Sequence, residues 1–65
     1  MTTAERIVSL FGGTRKLAKA ASVPSSTVQS WKKAGFIPAR KQARVLAAAK
    51  VAGVEITAAD FIEAA

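Results

Sequence analysis

The stretch LAKAASVPSSTVQSWKKAG, residues 17–35, contains the pattern that decides how this chain folds. Its apolar residues recur at helical spacing on both sides of a proline, and they are Leu17, Ala18, Ala21, Val23, Val28 and Trp31. Pro24 suits the first turn of a helix, where the missing backbone N–H of proline costs no hydrogen bond. The stretch therefore predicts two short helices joined by a tight turn, with Val23 filling the space beneath the turn.

The second of these helices has a polar outward face. Val28 and Trp31 are three residues apart, so both side chains point towards the core. The outward positions are then Ser25, Ser26, Gln29, Ser30 and Lys33. This face is uncharged near its start and cationic at its end, which suits the base edges of a DNA major groove followed by phosphates. Two interpretations are open here: a plain helical core, or a core that holds one helix outward for a second molecule.

Caps and glycines divide the rest of the chain into short helices. The predicted N-caps are Thr2, Thr14, Thr57 and, as further candidates for the third helix, Ser25 and Ser26; the predicted helix ends are Gly12-Gly13, Gly35 and Gly53. Glu5 and Asp60 each lie three residues after a threonine, which is the spacing of a capping box. Apolar stripes are expected at Ile7, Val8, Leu10 and Phe11 in the first helix and at Val45, Leu46 and Ala49 in the fourth, which begins at Pro38. No segment alternates as a strand does, so we expect one all-α domain of five helices over residues 1–65.

The charge of the chain is strongly one-sided. Ten Lys and Arg residues against four Asp and Glu give a formal net charge of +6. All of the basic residues, and none of the acids, lie between Arg6 and Val54. A field of one sign over most of a small domain suits a polyanionic partner, and the alternative is a solvated basic face that binds nothing specific.

Several classes of function are disfavoured by composition. The chain has no cysteine and no histidine, which removes disulfides, the commonest metal ligand and the commonest general base. With the acids confined to the two ends, no acid–base pair is apparent, so an enzyme, a cofactor and a metal are not expected. Apolar runs are too short for a membrane span, and no charged-then-apolar leader opens the chain, so a cytoplasmic location is expected.

The sequence also resembles a known family. Residues 14–33, TRKLAKAASVPSSTVQSWKK, resemble the helix-turn-helix of Cro/CI-type (lambda-repressor-like) phage and bacterial regulators. The flanking stretches FGGTRKLAKA and GFIPARKQARVLAAA are similar to small YdaS-like members, so the likeness covers roughly residues 7–62. One departure is Ser22, which stands where the turn usually has glycine. The resemblance implies a compact five-helix domain that binds double-stranded DNA as a nucleoid-associated transcriptional regulator.

The resemblance also implies roles for individual residues. The third helix, about residues 24–34, would enter the major groove, with Ser25, Ser26, Gln29 and Ser30 as base-contacting residues. Gln29 is the best candidate for discrimination, because its amide both accepts from and donates to adenine; the two early serines are alternatively caps or phosphate ligands. The implied phosphate-contacting residues are Thr14, Arg15, Thr27, Lys32, Lys33, Arg40, Lys41 and Arg44. For the basic ones the alternative is a solvated face.

The last third of the chain raises the question of a protein partner. Apolar types make up 51% of the sequence, and few neighbours remain to bury Val54, Ile56, Phe61 and Ile62. The segment of about residues 45–65 is therefore a candidate dimerisation surface, placing two recognition helices on a palindromic site; alternatively the fifth helix closes the monomer core. Two other classes stay open: a small antitoxin or anti-repressor whose main target is a protein, and a cationic membrane-active chain, which the glycines and prolines at helix boundaries disfavour.

Overall fold

The computed structural model describes residues 2–62, which form four α-helices and one turn of 3₁₀ helix. The elements are α1 (Thr3–Phe11), α2 (Thr14–Ala21), α3 (Ser25–Ala34), α4 (Ala39–Ala52) and the C-terminal 3₁₀ turn (Ala58–Phe61). Within residues 2–62 there is no strand, so the all-α prediction is confirmed. The predicted fifth helix is only a single 3₁₀ turn, because its backbone bonds join residues three apart, as from the Asp60 N–H to the Thr57 carbonyl at 2.9 Å.

One hydrophobic core joins all of these elements. Its buried apolar residues are Ala4, Ile7, Val8, Phe11, Leu17, Ala18, Ala21, Val28, Trp31, Ile37, Val45, Ala48, Ala49 and Phe61. Helix α2 packs against α1, α3 and α4, and the C-terminal 3₁₀ turn packs against α1 and α4. Trp31 is 4% exposed, and Val23 is partly buried against the same core. The predicted core of the opening stretch is therefore confirmed.

Two apolar positions differ from the prediction, and a third decides between two alternatives that the sequence left open. Leu10 is 48% exposed, because the buried face of α1 is set by residues 4, 7, 8 and 11 and Leu10 lies just outside it. Ala48 is not part of the stripe predicted for α4, but it is buried next to Ala49. Phe61 is 5% exposed, because the C-terminal 3₁₀ turn folds back onto α1 and α4, as in the alternative in which the last helix closes the monomer core.

Both predicted capping boxes are present. At α1, the Glu5 N–H donates to the Thr2 hydroxyl at 3.1 Å and the Thr2 N–H donates to the Glu5 carboxylate at 3.0 Å. At the C-terminal 3₁₀ turn, the Thr57 N–H donates to the Asp60 carboxylate at 2.6 Å. These bonds to Thr2 and Thr57 are the main reason that the pKa of each carboxyl is lowered below its usual value.

The other predicted N-caps are wrong. Helix α2 begins after Gly13 and helix α3 after Pro24, and neither helix start has a side-chain cap. Thr14 and Ser25 are instead the first residues inside their helices, where a hydroxyl is not placed to accept from the next two amides. Ser26 is the second residue of α3 and does not cap it either.

The turn between α2 and α3 contains the only non-glycine residue with positive φ in residues 2–62. Ser22 has φ 58° and ψ 44°, a left-handed conformation. The turn is closed by backbone bonds from the Val23 N–H to the Ala18 carbonyl at 2.9 Å and from the Ser22 N–H to the Lys19 carbonyl at 3.3 Å. A side chain with a Cβ is strained in this conformation, so the turn is held by its hydrogen bonds against a local cost.

Replacing Ser22 with glycine is expected to raise the free energy of unfolding by about 0.5–1 kcal/mol. Glycine relieves the strain in the folded turn, and the greater conformational entropy that it gives the unfolded chain offsets part of this gain. Thermal unfolding followed by circular dichroism checks this. The matched control is Ser9→Gly, because Ser9 is an exposed serine inside α1 with ordinary helical geometry, and there glycine should lower the melting temperature. A lower melting temperature for Ser22→Gly as well contradicts the strain.

Candidate nucleic-acid interface

The outward face of α3 is left uncovered by the other helices. Helix α3 contributes Val28 and Trp31 to the core and packs against α1 and α2. The side chains predicted to face outward, Ser25, Ser26, Gln29, Ser30 and Lys33, are all exposed. Thr27 is half-buried at the edge of this face. We call the five exposed residues, without Thr27, the α3 face. Its polar groups can donate hydrogen bonds to a partner and accept them from it.

A first group of predicted phosphate ligands meets at the start of α2. The Lys32 ammonium donates to the Thr14 hydroxyl at 3.4 Å, which joins the first residue of α2 to the second half of α3. Arg15 and Lys33, their neighbours in the chain, are exposed. The contact thus brings together two predicted phosphate ligands that lie on different helices, Thr14 on α2 and Lys32 on α3.

A second group lies on α4. Arg40 and Lys41 belong to its first turn, and Arg44 lies one turn further on, on the same side as Arg40. The Arg44 guanidinium donates to the backbone carbonyl of Ala21 at 3.5 Å. Since Ala21 is the last residue of α2, this contact brings α4 next to the turn that precedes α3.

The acids are held elsewhere. Within residues 2–62 the only ion pair joins Arg6 to Asp60 at 3.2 Å, and the Arg6 guanidinium also donates to the Asp60 carbonyl at 2.9 Å. This pairing helps to lower the pKa of the Asp60 carboxyl. Glu5 is engaged in its capping box, and the positive charge of Lys32 contributes a little to the lowered pKa of its carboxyl. The two described carboxylates with partners therefore lie at α1 and at the C-terminal 3₁₀ turn.

The helix N-termini fall into two classes. Helix α1 and the C-terminal 3₁₀ turn begin with an acidic capping box, whereas α2, α3 and α4 begin without a side-chain cap and without an acid in the first turn. Arg15 and Lys16 lie in the first turn of α2, and Arg40 and Lys41 in that of α4. Cations at this end oppose the helix dipole and cost about 0.3–1 kcal/mol each, which an anion bound there would offset.

From the sequence, side-chain caps were predicted for α2 and α3, and none of these three starts was predicted to be uncapped. The signal was available, because no acid occurs between Arg6 and Val54, so none can lie in the first turn of α2, α3 or α4. The residues at these starts can hold phosphate oxygens through free backbone N–H groups and basic side chains. Within residues 2–62, no three His, Cys, Asp or Glu side chains converge as metal ligands would.

Fold and surface together define a small all-α protein with an exposed polar face on α3 and exposed cations on α2, α3 and α4. Comparisons with models of protein families, with curated proteins and with solved structures find no match for this chain. No helix within residues 2–62 has the length and apolar character needed to cross a membrane.

Proposed function

We propose that this chain is a sequence-specific regulator that binds double-stranded DNA, with α2, the turn at Ser22 and α3 acting as a helix-turn-helix. The observation that carries the proposal is the α3 face: an exposed surface that is polar and uncharged at the start of the helix and cationic at Lys33. Lys32 of the same helix contacts the start of α2, and Arg44 of α4 contacts the last residue before the turn into α3. A major groove is wide enough to admit an α-helix, and its base edges are hydrogen-bonding groups.

Base recognition in this proposal depends on the first turns of α3. Gln29 is exposed near the middle of the α3 face, and its amide matches the acceptor and donor that adenine presents in the major groove. Ser25, Ser26 and Ser30 surround it with short hydroxyls that donate or accept. Ser25 and Ser26 make no cap, so both hydroxyls are available to a base or a phosphate.

Phosphate contacts in this proposal come from both groups of cations. The DNA backbone is contacted beside the start of α2 by Thr14, Arg15, Lys32 and Lys33. Beside the start of α4 it is contacted by Arg40 and Lys41, and at the edge of α3 by the hydroxyl of Thr27. The free N–H groups at the starts of α2, α3 and α4 are donors for the same oxygens. Such contacts position the protein on the duplex without reading its sequence.

A homodimer on a palindromic site is part of the proposal. Val51 is 91% exposed and Ile62 is 74% exposed, so two apolar side chains of the C-terminal segment lack cover in the monomer. Phe61 is already buried, and Val54 and Ile56 pack partly against the core, so the available apolar surface is smaller than the sequence suggested. Residues 63–65 of the predicted dimerisation segment lie outside the described residues. The same exposed side chains favour the second candidate, an antitoxin or anti-repressor that binds a partner protein.

Selection of bound fragments from random duplex DNA, followed by sequencing, tests the proposal. A recurrent sequence is expected, as two inverted half-sites about 34 Å apart if the protein binds as a dimer. A single half-site contradicts the dimer while leaving DNA recognition intact. Enrichment of no sequence contradicts specific recognition, and capture of no duplex at low salt contradicts DNA binding altogether.

The variant Gln29→Ala is expected to lose discrimination while keeping its affinity for unrelated duplexes. A lost bidentate base contact is worth about 1–3 kcal/mol, so the preference for the selected duplex should fall by roughly tenfold or more. Titrations of the selected duplex and a scrambled duplex measure this ratio. Lys33→Ala, one turn along the same face, is the matched control and should weaken both duplexes alike. An equal loss on both duplexes for Gln29→Ala would remove Gln29 from base recognition.

A further inference from the structure

The carbonyl end of α2 is the point at which the chain turns into α3. The Ala18 and Lys19 carbonyls accept backbone N–H groups of the turn, from Val23 and Ser22. The Ala21 carbonyl, which directly precedes the left-handed Ser22, accepts instead from the guanidinium of Arg44 on α4. A side chain 23 positions away in sequence thus bonds the last carbonyl of α2.

The contact is also favoured by charge. The C-terminal end of a helix carries the negative end of its dipole, and a cation there stabilises the helix. The basic residue in the last turn of α2 itself is Lys19, for which no hydrogen bond to these carbonyls is present among the described residues. Arg44 therefore supplies the side-chain donor at this helix end, and it does so from α4.

We propose that Arg44 is a positioning residue: it fastens the turn between α2 and α3 to α4 and thereby sets the direction in which α3 leaves the core. This assigns Arg44 a different role from the phosphate contact that the sequence suggested. The consequence for base recognition rests on the proposed function, whereas the effect on the turn does not. If α3 leaves the core at a different angle, its side chains lose their register with base edges while the cations remain available to phosphates.

Arg40 provides a close comparison. It lies one turn before Arg44 on the same side of α4, it is exposed, and it makes no side-chain hydrogen bond with the described residues. A phosphate ligand is expected to behave like Arg40. Arg44 is exposed as well, but its guanidinium is hydrogen-bonded to the Ala21 carbonyl, so as a positioning residue it is expected to behave differently.

The test compares Arg44→Met with Arg40→Met, since methionine keeps an apolar stem and removes the charge and the donors. Hydrogen exchange of the Ser22 and Val23 amides is measured without DNA. Affinities for the selected duplex and a scrambled duplex are then measured over a range of salt, at a temperature where each variant is folded. Arg44→Lys is included because it restores a charged donor.

For Arg44→Met we expect faster exchange of the turn amides and an unchanged salt slope. Its preference for the selected duplex should fall about tenfold, as when one base contact is lost. For Arg40→Met we expect normal exchange, an unchanged preference and a salt slope shallower by about 0.9, as for one phosphate contact. Arg44→Lys should restore part of the preference. If Arg44→Met speeds exchange at the turn but the folded variant keeps its preference for the selected duplex, the role of Arg44 is purely structural. That result would contradict its positioning role in recognition.

A different pair of results for Arg44→Met would contradict the proposal. If Arg44→Met exchanges normally at the turn and loses about 0.9 of the salt slope, Arg44 is a phosphate ligand and the proposal is wrong. If no duplex is preferred by the wild-type protein, the proposed function fails, and the exchange of the turn amides still decides whether Arg44 holds the turn.

Discussion

The affinity of this protein for duplex DNA is expected to fall by about three to five orders of magnitude when salt rises from about 50 to about 200 mM. The reason is the release of counterions by each neutralised phosphate. A complex that neutralises about six to ten phosphates has a slope of log affinity against log salt near −5 to −9. Two copies of Arg15, Lys32, Lys33, Arg40 and Lys41 supply cations in this range.

Titration of a labelled duplex at several salt concentrations measures the slope, and single variants show which cations contribute. Lys33→Ala should make the slope shallower by about 0.9, because one phosphate contact is lost. Lys50→Ala is the matched control: Lys50 is also exposed, but it lies in the last turn of α4, at the opposite end from that helix's uncapped start, and its loss should leave the slope unchanged. A wild-type slope close to zero would mean that these cations do not meet phosphates.

The variant Trp31→Ala is expected to be largely unfolded at room temperature. Trp31 is 4% exposed in a core built from all helices, and removing a buried indole costs about 3–5 kcal/mol. A domain of 65 residues has little more stability than this to lose, typically about 3–5 kcal/mol. Circular dichroism should show lost helicity and no cooperative thermal transition.

Two variants separate a core role of Trp31 from a role in stacking on bases. Trp31→Phe fills most of the same space, so it should fold with a lower melting temperature and still bind DNA. Phe36→Ala removes an aromatic ring that is 50% exposed and should change the melting temperature little. If Trp31→Ala folds as stably as the wild type but loses DNA affinity, Trp31 belongs to the binding surface and its assignment to the core is wrong.

The features that could be predicted from the sequence are those set by residues close together in the chain. The capping boxes at Thr2 and Thr57 depend on a partner three residues away, and both formed as predicted. The burial of Val28 and Trp31 follows from helical spacing alone. The exposure of Gln29 follows from the same spacing, since a helix that buries one side must expose the other.

The predictions that failed needed knowledge of neighbouring helices. Thr14 was expected to cap α2, but it lies inside that helix and its hydroxyl accepts a hydrogen bond from Lys32 of α3. Whether Phe61 has cover was left open by the sequence, and α1 and α4 bury it. In each case the deciding partner is distant in sequence, and no pattern of residue types indicates which distant group arrives there.

The sequence by itself determined that the chain is helical, where most of its helices begin and end, and that its acids are absent from the middle, because helical period, capping distance and charge are properties of neighbouring residues. Only the tertiary structure decided which cations contact other groups of the protein. Arg44 bonds Ala21, 23 positions away, and Arg6 pairs with Asp60, 54 positions away. Such contacts exist only after the core has brought the helices together, so they follow from packing and not from local preference.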